Sequence, residues 1–170
     1  MRKALVAVTL LAACRGGHSG LPPGTGVLDA NATVTHVVDG DTIDVTVGGA
    51  RERVRLTGVD TPEVAHAGTP DRPGNPAECF ADAAAAFTAG LIPPGTPVRL
   101  ERDVVSRDDY GRLLAYVYRA GDGVFVNDEL VRQGYARPLS IAPNVTHRER
   151  FVTAARLAEH AEVGLWGACS

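Results

Sequence analysis

The sequence contains little lysine, few aromatic residues and no hydrophobic run long enough to span a membrane. Lys3 is the only lysine, so sixteen of the 17 basic residues are arginines. The formal net charge of −3 excludes a protein that holds nucleic acid by bulk positive charge. Aromatic residues make up 5% of the chain, which predicts a core of Val, Leu, Ile and Ala. With 170 residues, 45% of them hydrophobic, the composition predicts one globular domain with a short appendage.

The N-terminus has the pattern of an export signal. Residues 1–3 form a short, positively charged segment, and ten apolar or small residues follow from Ala4 to Ala13. Ten residues are too few to cross a bilayer as a helix, so residues 1–13 are predicted to be a secretory signal peptide. The run ends in Leu-Ala-Ala-Cys, which resembles the bacterial lipobox. Cys14 is therefore predicted to carry the lipid of an exported, membrane-anchored lipoprotein on the extracytoplasmic side of a bacterial membrane. The alternative is an uncleaved apolar N-terminus with an incidental cysteine.

The rest of the chain divides into a tether and one domain. Residues 14–31 are rich in Gly and Pro and lack periodicity, so we expect a flexible tether before a domain over residues 32–170. Lipidation of Cys14 leaves Cys79 and Cys169, and an exported protein favours a disulfide between them. Two unrelated buried thiols are the alternative. The sequence has no Cys-x-x-Cys pair, which argues against a zinc site of that type.

The hydrophobic pattern predicts five strands and three helices. Strands are predicted over residues 33–38, 42–47, 51–57, 97–102 and 112–119. Helices are predicted over residues 76–89, 128–133 and from 146 to just before 164. Asn127 is expected to cap the second helix, and Thr146 with Glu149 has the spacing of a capping box. This order favours a small closed barrel with helices on one side, a mainly β fold of the α+β class.

Three polar clusters lie at predicted strand ends and turns: residues 39–42, 55–63 and 108–112. Each cluster taken alone is typical of a surface turn with solvated charges. Taken together, they provide complementary chemistry. The carboxylates of Asp41 and Asp60, with neighbouring main-chain carbonyls, are the hard oxygen ligands that Ca²⁺ prefers.

The other charged residues of these clusters suit a reaction at phosphorus. Arg55 and Arg112 have the fork-shaped donors that bind a phosphate. Glu63 is a carboxylate able to accept a proton from water or to orient it. Metal ligands, a phosphate clamp and a base together predict phosphodiester hydrolysis.

The motifs resemble those of the staphylococcal nuclease (thermonuclease) family. They read Asp-Gly-Asp-Thr, Arg-Leu-x-Gly-Val-Asp-Thr-Pro-Glu, Asp-x-Tyr-Gly-Arg and Val-Asn-x-x-Leu-Val-x-x-Gly, in this order, and the match runs from His36 to Trp166. The resemblance implies a five-stranded OB-fold barrel with three helices. It also implies a calcium-dependent nuclease that cleaves DNA and RNA and leaves 3′-phosphate ends. A monomer is expected.

The resemblance implies a role for each matching residue. Asp41 and Asp60 match the calcium carboxylates, and Thr61 matches the residue whose main-chain carbonyl binds the metal. Glu63 matches the carboxylate assigned as the general base. Because the catalytic positions hold the expected residue types, an enzyme is favoured over the alternative, a noncatalytic OB-fold module that binds single-stranded nucleic acid.

The substrate side of the motif is only partly kept. Arg55 and Arg112 match the two arginines on the scissile phosphate, and Tyr110 matches a tyrosine near a terminal phosphate. Leu139 and Ile141 lie where the best-known family member has tyrosines that pack against a base. Aliphatic side chains give apolar contact without aromatic stacking, so we expect weaker and salt-sensitive binding of nucleic acid.

Overall fold

The computed structural model describes residues 26–68 and 74–169. The predicted signal peptide and Cys14 lie outside the described residues. The strands are β1 Ala32–Val37, β2 Thr42–Val47, β3 Ala50–Leu56, β4 Gly58–Asp60, β5 Pro97–Glu101, β6 Leu113–Arg119 and β7 Arg137–Leu139. The helices are α1 Ala81–Leu91, α2 Val126–Arg132, α3 Arg148–His160 and α4 Leu165–Ala168. No helix of this part of the chain combines the length and hydrophobicity needed to cross a membrane.

Five strands close into a barrel in the order β1, β2, β3, β6, β5. Strand β5 pairs back with β1, and every neighbouring pair is antiparallel except β3 with β6. The hairpin between β2 and β3 turns at Gly48 and Gly49, which both have positive φ. The prediction of a closed five-stranded OB-type barrel in an α+β fold is therefore confirmed. The short helix α4 and the two-stranded sheet of β4 and β7 are additions that the sequence pattern did not predict.

The core is mainly aliphatic, as the composition predicts, and Phe151 of α3 is its largest fully buried side chain. The ring of Phe151 lies directly against the start of β4. A Cβ atom added to Gly58 would lie 2.5 Å from Phe151 Cε2, and Gly58 has a φ of +81°. Both the close approach and the backbone conformation therefore require glycine where the chain leaves β3 for the active-site segment.

Helix α1 begins at Ala81, five residues later than predicted. Residues 76–80 are not helical because their main chain is used elsewhere: Glu78 N donates to Glu63 O at 2.9 Å, and Phe80 has a φ of +73°. The helix continues through Gly90 to Leu91. The long loop between β4 and α1 is thus tied at its end to the segment that carries Glu63.

The predictions that Asn127 and Thr146 cap helices are wrong, because both side chains form hydrogen bonds with distant residues. Asn127 lies inside the first turn of α2 and is fully buried. Its Oδ1 accepts from Val117 N and its Nδ2 donates to Thr57 O, both at 2.9 Å. Thr146 precedes α3, but its hydroxyl donates to Asp103 at 3.0 Å. Long-range partners compete with local caps for short polar side chains, and a sequence window does not contain those partners.

The segment before β1 follows the wall of the barrel. Leu28 N donates to Ala120 O at 2.8 Å, and Asn31 N donates to Val98 O at 3.0 Å. The Asn31 side chain also exchanges two hydrogen bonds with the main chain of Leu100. Within the range expected as a tether, the described residues Leu28 and Asn31 are therefore hydrogen-bonded to the barrel.

The predicted disulfide between Cys79 and Cys169 is present, and the alternative of two unrelated thiols is wrong. The bond joins residues 90 positions apart, just before α1 and just after α4. A crosslink over so long a loop restricts the unfolded chain strongly.

Removing this crosslink is expected to lower stability. In the chain-entropy relation, a Cys79→Ser/Cys169→Ser double variant loses about 4–5 kcal/mol of unfolding free energy. Urea titration followed by circular dichroism measures the change. Reductant is expected to lower the urea midpoint of the wild-type protein and to leave the midpoint of the double variant unchanged. An unchanged midpoint in the double variant contradicts the prediction.

Asn127→Ala is expected to be among the most destabilising single polar substitutions. It leaves the buried Val117 N–H and Thr57 carbonyl without partners, at a cost of roughly 2–4 kcal/mol. Asn75→Ala, which removes an exposed asparagine side chain, serves as the control and is expected to cost less than about 0.5 kcal/mol. Thermal and urea unfolding of both variants give the comparison, and equal stability of the two is the contrary result.

Candidate active site

Arg55 joins the first two predicted clusters. It projects from β3 with its guanidinium between two carboxylates: Nη1 lies 2.5 Å from Asp41 Oδ2, and Nη2 lies 2.6 Å from Asp60 Oδ1. Nη1 also donates to Val59 O at 3.0 Å. The interpretation of these clusters as separate surface turns is therefore wrong, because one side chain connects β2, β3 and β4.

The Asp-Gly-Asp turn is shaped to pack against Thr61. A Cβ atom added to Gly40 would lie 2.7 Å from the Thr61 side chain, so residue 40 must be glycine for the two segments to meet. Thr61 N donates to Asp41 Oδ2 at 2.8 Å. Gly40 O accepts from the buried Thr88 hydroxyl of α1 at 2.6 Å. The turn thus aims Asp41 at Thr61 and at Arg55 and is itself fixed by a helix.

The acidic side of this cluster carries more charge than Arg55 neutralises. Burial raises the pKa of the Asp41 carboxyl to about 7, against the opposing effects of Arg55 and the Thr61 N–H. The nearby carboxylates of Asp39 and Asp60 raise it further. Asp41 thus lies close to two further carboxylates and one guanidinium, a surplus of acidic groups that favours binding of a cation.

The cation that fits this cluster is a hard divalent metal. Asp41 and Asp60 offer carboxylate oxygens, and Thr61 follows Asp60 in sequence and donates its N–H to Asp41. Among the residues that the structure describes, no group of three or more His, Cys, Asp or Glu side chains is arranged to hold a metal. A metal here would therefore use two carboxylates with main-chain and water oxygens, as predicted for Asp41, Asp60 and Thr61.

The third cluster forms a turn organised by Asp108. Its Oδ1 accepts from the main-chain N–H groups of Tyr110 at 3.0 Å and Arg112 at 2.9 Å, and its Oδ2 accepts from Arg112 Nε at 2.7 Å. Burial alone would raise the pKa of Asp108, but the hydrogen bonds from Arg112 and Tyr110 lower it below its ordinary value. Asp108 thus holds both the main chain and the guanidinium of Arg112.

The sequence placed Asp108 in the third cluster without assigning it a role, and it did not single out Arg107. The Asp at the start of an Asp-x-Tyr turn is a local signal, since Asp side chains accept from the main chain two residues on. Arg107 has no such signal. Its guanidinium makes two hydrogen bonds to Glu52 of β3, at 2.8 and 3.0 Å, and donates to Gly111 O at 2.7 Å. The pair Arg107–Glu52 fastens the turn to the barrel across 55 residues of sequence.

A cavity of about 420 Å³ connects the two predicted phosphate-binding arginines. Arg55 lines one part of it and Arg112 another, and the exposed ring of Tyr110 stands at its edge with Arg112 5.5 Å from the ring centre. Leu139 and Ile141 form part of the wall, as expected from the sequence. The structure therefore brings together the three predicted phosphate-side residues and the aliphatic substitutes for aromatic groups.

Glu63 is not among the residues that line this cavity. Its side chain is half exposed, and its carboxylate lies 3.5 Å from His66 Nε2. Its main chain is held more closely: Glu63 N donates to Glu78 Oε2 at 3.1 Å. Glu63 follows Thr61 by two residues in sequence, after Pro62, and its role as the base stays a prediction.

Comparisons with known proteins agree with this arrangement. Residues 53–168 match the protein family described as "Staphylococcal nuclease homologue". A thermonuclease of Staphylococcus intermedius is 39% identical over 142 residues, covering 84% of this chain and 79% of that protein. A thermonuclease of Staphylococcus hyicus is 36% identical, covering 78% of this chain and 73% of the relative. Endonuclease YncB of Bacillus subtilis is 33% identical over 80% of this chain and 61% of its own length. On its fold, its site and these matches, the chain belongs to the staphylococcal nuclease family.

Proposed function

We propose that this protein is a calcium-dependent nuclease that hydrolyses phosphodiester bonds of DNA and RNA and leaves 3′-phosphate ends. The observation that carries the proposal is the shared cavity of Arg55 and Arg112, with Arg55 at the same time forked between Asp41 and Asp60. Relatives named thermonuclease and endonuclease support the reaction class. The chain is therefore a hydrolase acting on phosphate diesters.

The two arginines bind the scissile phosphate and stabilise its charge. A guanidinium forms paired hydrogen bonds with phosphate oxygens, and these strengthen as negative charge develops on them in the transition state. Arg55 is held by its two carboxylates, and Arg112 is held by Asp108, so both guanidinium groups are oriented before substrate arrives. A guanidinium held in this way loses less entropy on reaching the transition state than a freely moving one would.

Asp41, Asp60 and Thr61 would hold Ca²⁺ beside the phosphate. A bound divalent cation supplies positive charge that neutralises phosphate oxygens. The hard oxygen ligands and the unbalanced negative charge around Asp41 suit an alkaline-earth ion better than a soft metal.

Glu63 acts as the general base for the attacking water. Its half-exposed carboxylate takes the proton as the water oxygen bonds to phosphorus, and the bond from phosphorus to the 5′ oxygen breaks. The 5′ oxygen leaves as an alkoxide and takes a proton from solvent water to become a hydroxyl, and the phosphate stays on the 3′ side.

The substrate side of the cavity predicts modest affinity. Ile141 is 68% exposed and Leu139 is 42% exposed, so both present aliphatic surface to a base. Loss of aromatic stacking weakens binding by roughly 1–3 kcal/mol per base. With a net charge of −3, binding depends on the arginine pair and the metal and therefore weakens as salt rises.

The proposal places the enzyme outside the cytoplasm, anchored by a lipid on Cys14 and acting as a monomer. The signal pattern of residues 1–13 supports export. The disulfide between Cys79 and Cys169 adds independent support, because such bonds persist in oxidising compartments.

The activity is tested by hydrolysis of denatured DNA and of RNA with millimolar Ca²⁺ and again with a chelator. Cleavage that stops on chelation and leaves 3′-phosphates is expected. Glu63→Gln is expected to lower turnover at least about 100-fold, because general-base catalysis contributes that much, while substrate binding is kept. Glu159→Gln, an exposed glutamate of α3, is the matched control and is expected to retain wild-type turnover.

Two outcomes contradict this proposal in different ways. A folded protein that binds single strands without cleaving them is a noncatalytic OB-fold module. Full turnover in Glu63→Gln, with cleavage by the wild type intact, removes Glu63 from the mechanism and leaves the nuclease assignment standing.

The anchor is tested by Cys14→Ser in the full chain expressed in a bacterium. The wild-type protein is expected in the membrane fraction with incorporated labelled fatty acid. The variant is expected to lose the label and to leave the membrane. A wild-type protein without label contradicts lipidation of Cys14.

A further inference from the structure

The main chain of Glu63 is held by the residue next to the disulfide. Glu63 N donates to Glu78 Oε2 at 3.1 Å, and Glu78 N donates to Glu63 O at 2.9 Å. Cys79, which is bonded to Cys169, directly follows Glu78. The partner of Glu63 is therefore one residue away from a covalent crosslink.

The pairing of Glu63 with Glu78 belongs to a wider antiparallel arrangement. His66 pairs with Asn75 in the same register, with His66 N donating to Asn75 O at 3.1 Å. Each arm advances three residues between the two pairs. The Glu63–Glu78 pair is thus the end of the arrangement that lies nearest along the chain to α1 on one arm and to Asp60 and Thr61 on the other.

The far end of the crosslink is fixed to the core. Cys169 follows α4, whose Leu165 is fully buried and donates through its N–H to Gly134 O at 2.8 Å. The guanidinium of Arg137 lies 5.1 Å from the ring of Trp166 in the same helix. The disulfide therefore connects Glu78 to a helix that is attached to the connection between α2 and β7.

The side chain of Glu63 is too exposed to be oriented by packing, so its direction depends on how its main chain is held. We propose that Glu78 is a positioning residue for Glu63 and that the Cys79–Cys169 disulfide fixes Glu78 in that role. The inference rests on the proposed nuclease function. It assigns to the crosslink a part in turnover that is separate from its part in stability.

The first test compares Glu78→Ala and Glu78→Gln by their kcat and KM on denatured DNA with added Ca²⁺. Misplacement of a reacting group by about 1 Å costs up to about 100-fold in rate, so we expect Glu78→Ala to lower kcat by about tenfold or more. KM is expected to stay within about twofold, because Glu78 does not line the cavity that binds the phosphate. Glu78→Gln keeps an oxygen acceptor for Glu63 N and is expected to restore most of kcat.

Asp82→Ala is the matched control. It removes an exposed carboxylate four residues further on, in the first turn of α1, and is expected to leave kcat unchanged. Glu78→Ala with wild-type kcat overturns the inference. So does Glu78→Gln that is no better than Glu78→Ala, because the negative charge and not the hydrogen bond would then be responsible.

The second test needs no substitution at Glu78. Wild-type protein is reduced at a temperature where circular dichroism shows that it stays folded, and kcat is measured before and after. A fall in kcat with unchanged folding supports the inference, and unchanged kcat overturns the part assigned to the disulfide. In the Cys79→Ser/Cys169→Ser background, Glu78→Ala is expected to cost less than in the wild type, because the two act through one contact.

Failure of the inference and failure of the proposed function give different results. A folded wild-type protein that does not cleave DNA overturns the proposed function. A wild type that cleaves, with Glu78→Ala equally active, overturns only the positioning role.

Discussion

The ion pairs of Arg55 set the geometry on which the rest of the site depends. The two carboxylates differ in environment, since the side chain of Asp41 is 2% exposed and that of Asp60 is 49% exposed. Removing the guanidinium would leave a buried carboxylate without an oppositely charged partner, which costs roughly 3–5 kcal/mol. The buried contact therefore fixes the arginine, and the exposed one leaves a carboxylate open to a ligand. One side chain both organises the acidic cluster and borders the cavity for the phosphate.

The barrel topology explains why distant parts of the sequence meet here. Arg55 lies opposite Thr42, the first residue of β2, so Asp41 just before that strand comes within its reach. Strand β3 then passes through Gly58 into β4, which places Asp60 on the other side of the same guanidinium. The parallel pairing of β3 with β6 sets Arg55 beside Leu114 and so carries the 108–112 turn to the same end of the barrel.

The parts of the structure that depend on local patterns were predictable from the sequence. The β2–β3 hairpin follows from alternating residues around Gly48-Gly49, and the polar clusters follow from their motifs. The use of Asn127 as a bridge between Val117 and Thr57, and the pairing of β4 with β7, depend on partners tens of residues away. The local sequence shows that Asn is a favourable capping residue. It does not show that two buried main-chain groups will form hydrogen bonds with this side chain.

The hydrogen bonds between Arg107 and Glu52 decide which strand supports the arginine side of the cavity. Glu52 and Arg55 lie three residues apart on β3, and these hydrogen bonds attach the Arg112 turn to that same strand. Both guanidinium groups, those of Arg55 and Arg112, are therefore attached to the same short strand. The aliphatic wall of Leu139 and Ile141 is instead carried on or beside β7, which pairs with β4 and not with β3. The chemistry and the fit to the base thus have separate mechanical supports within one cavity.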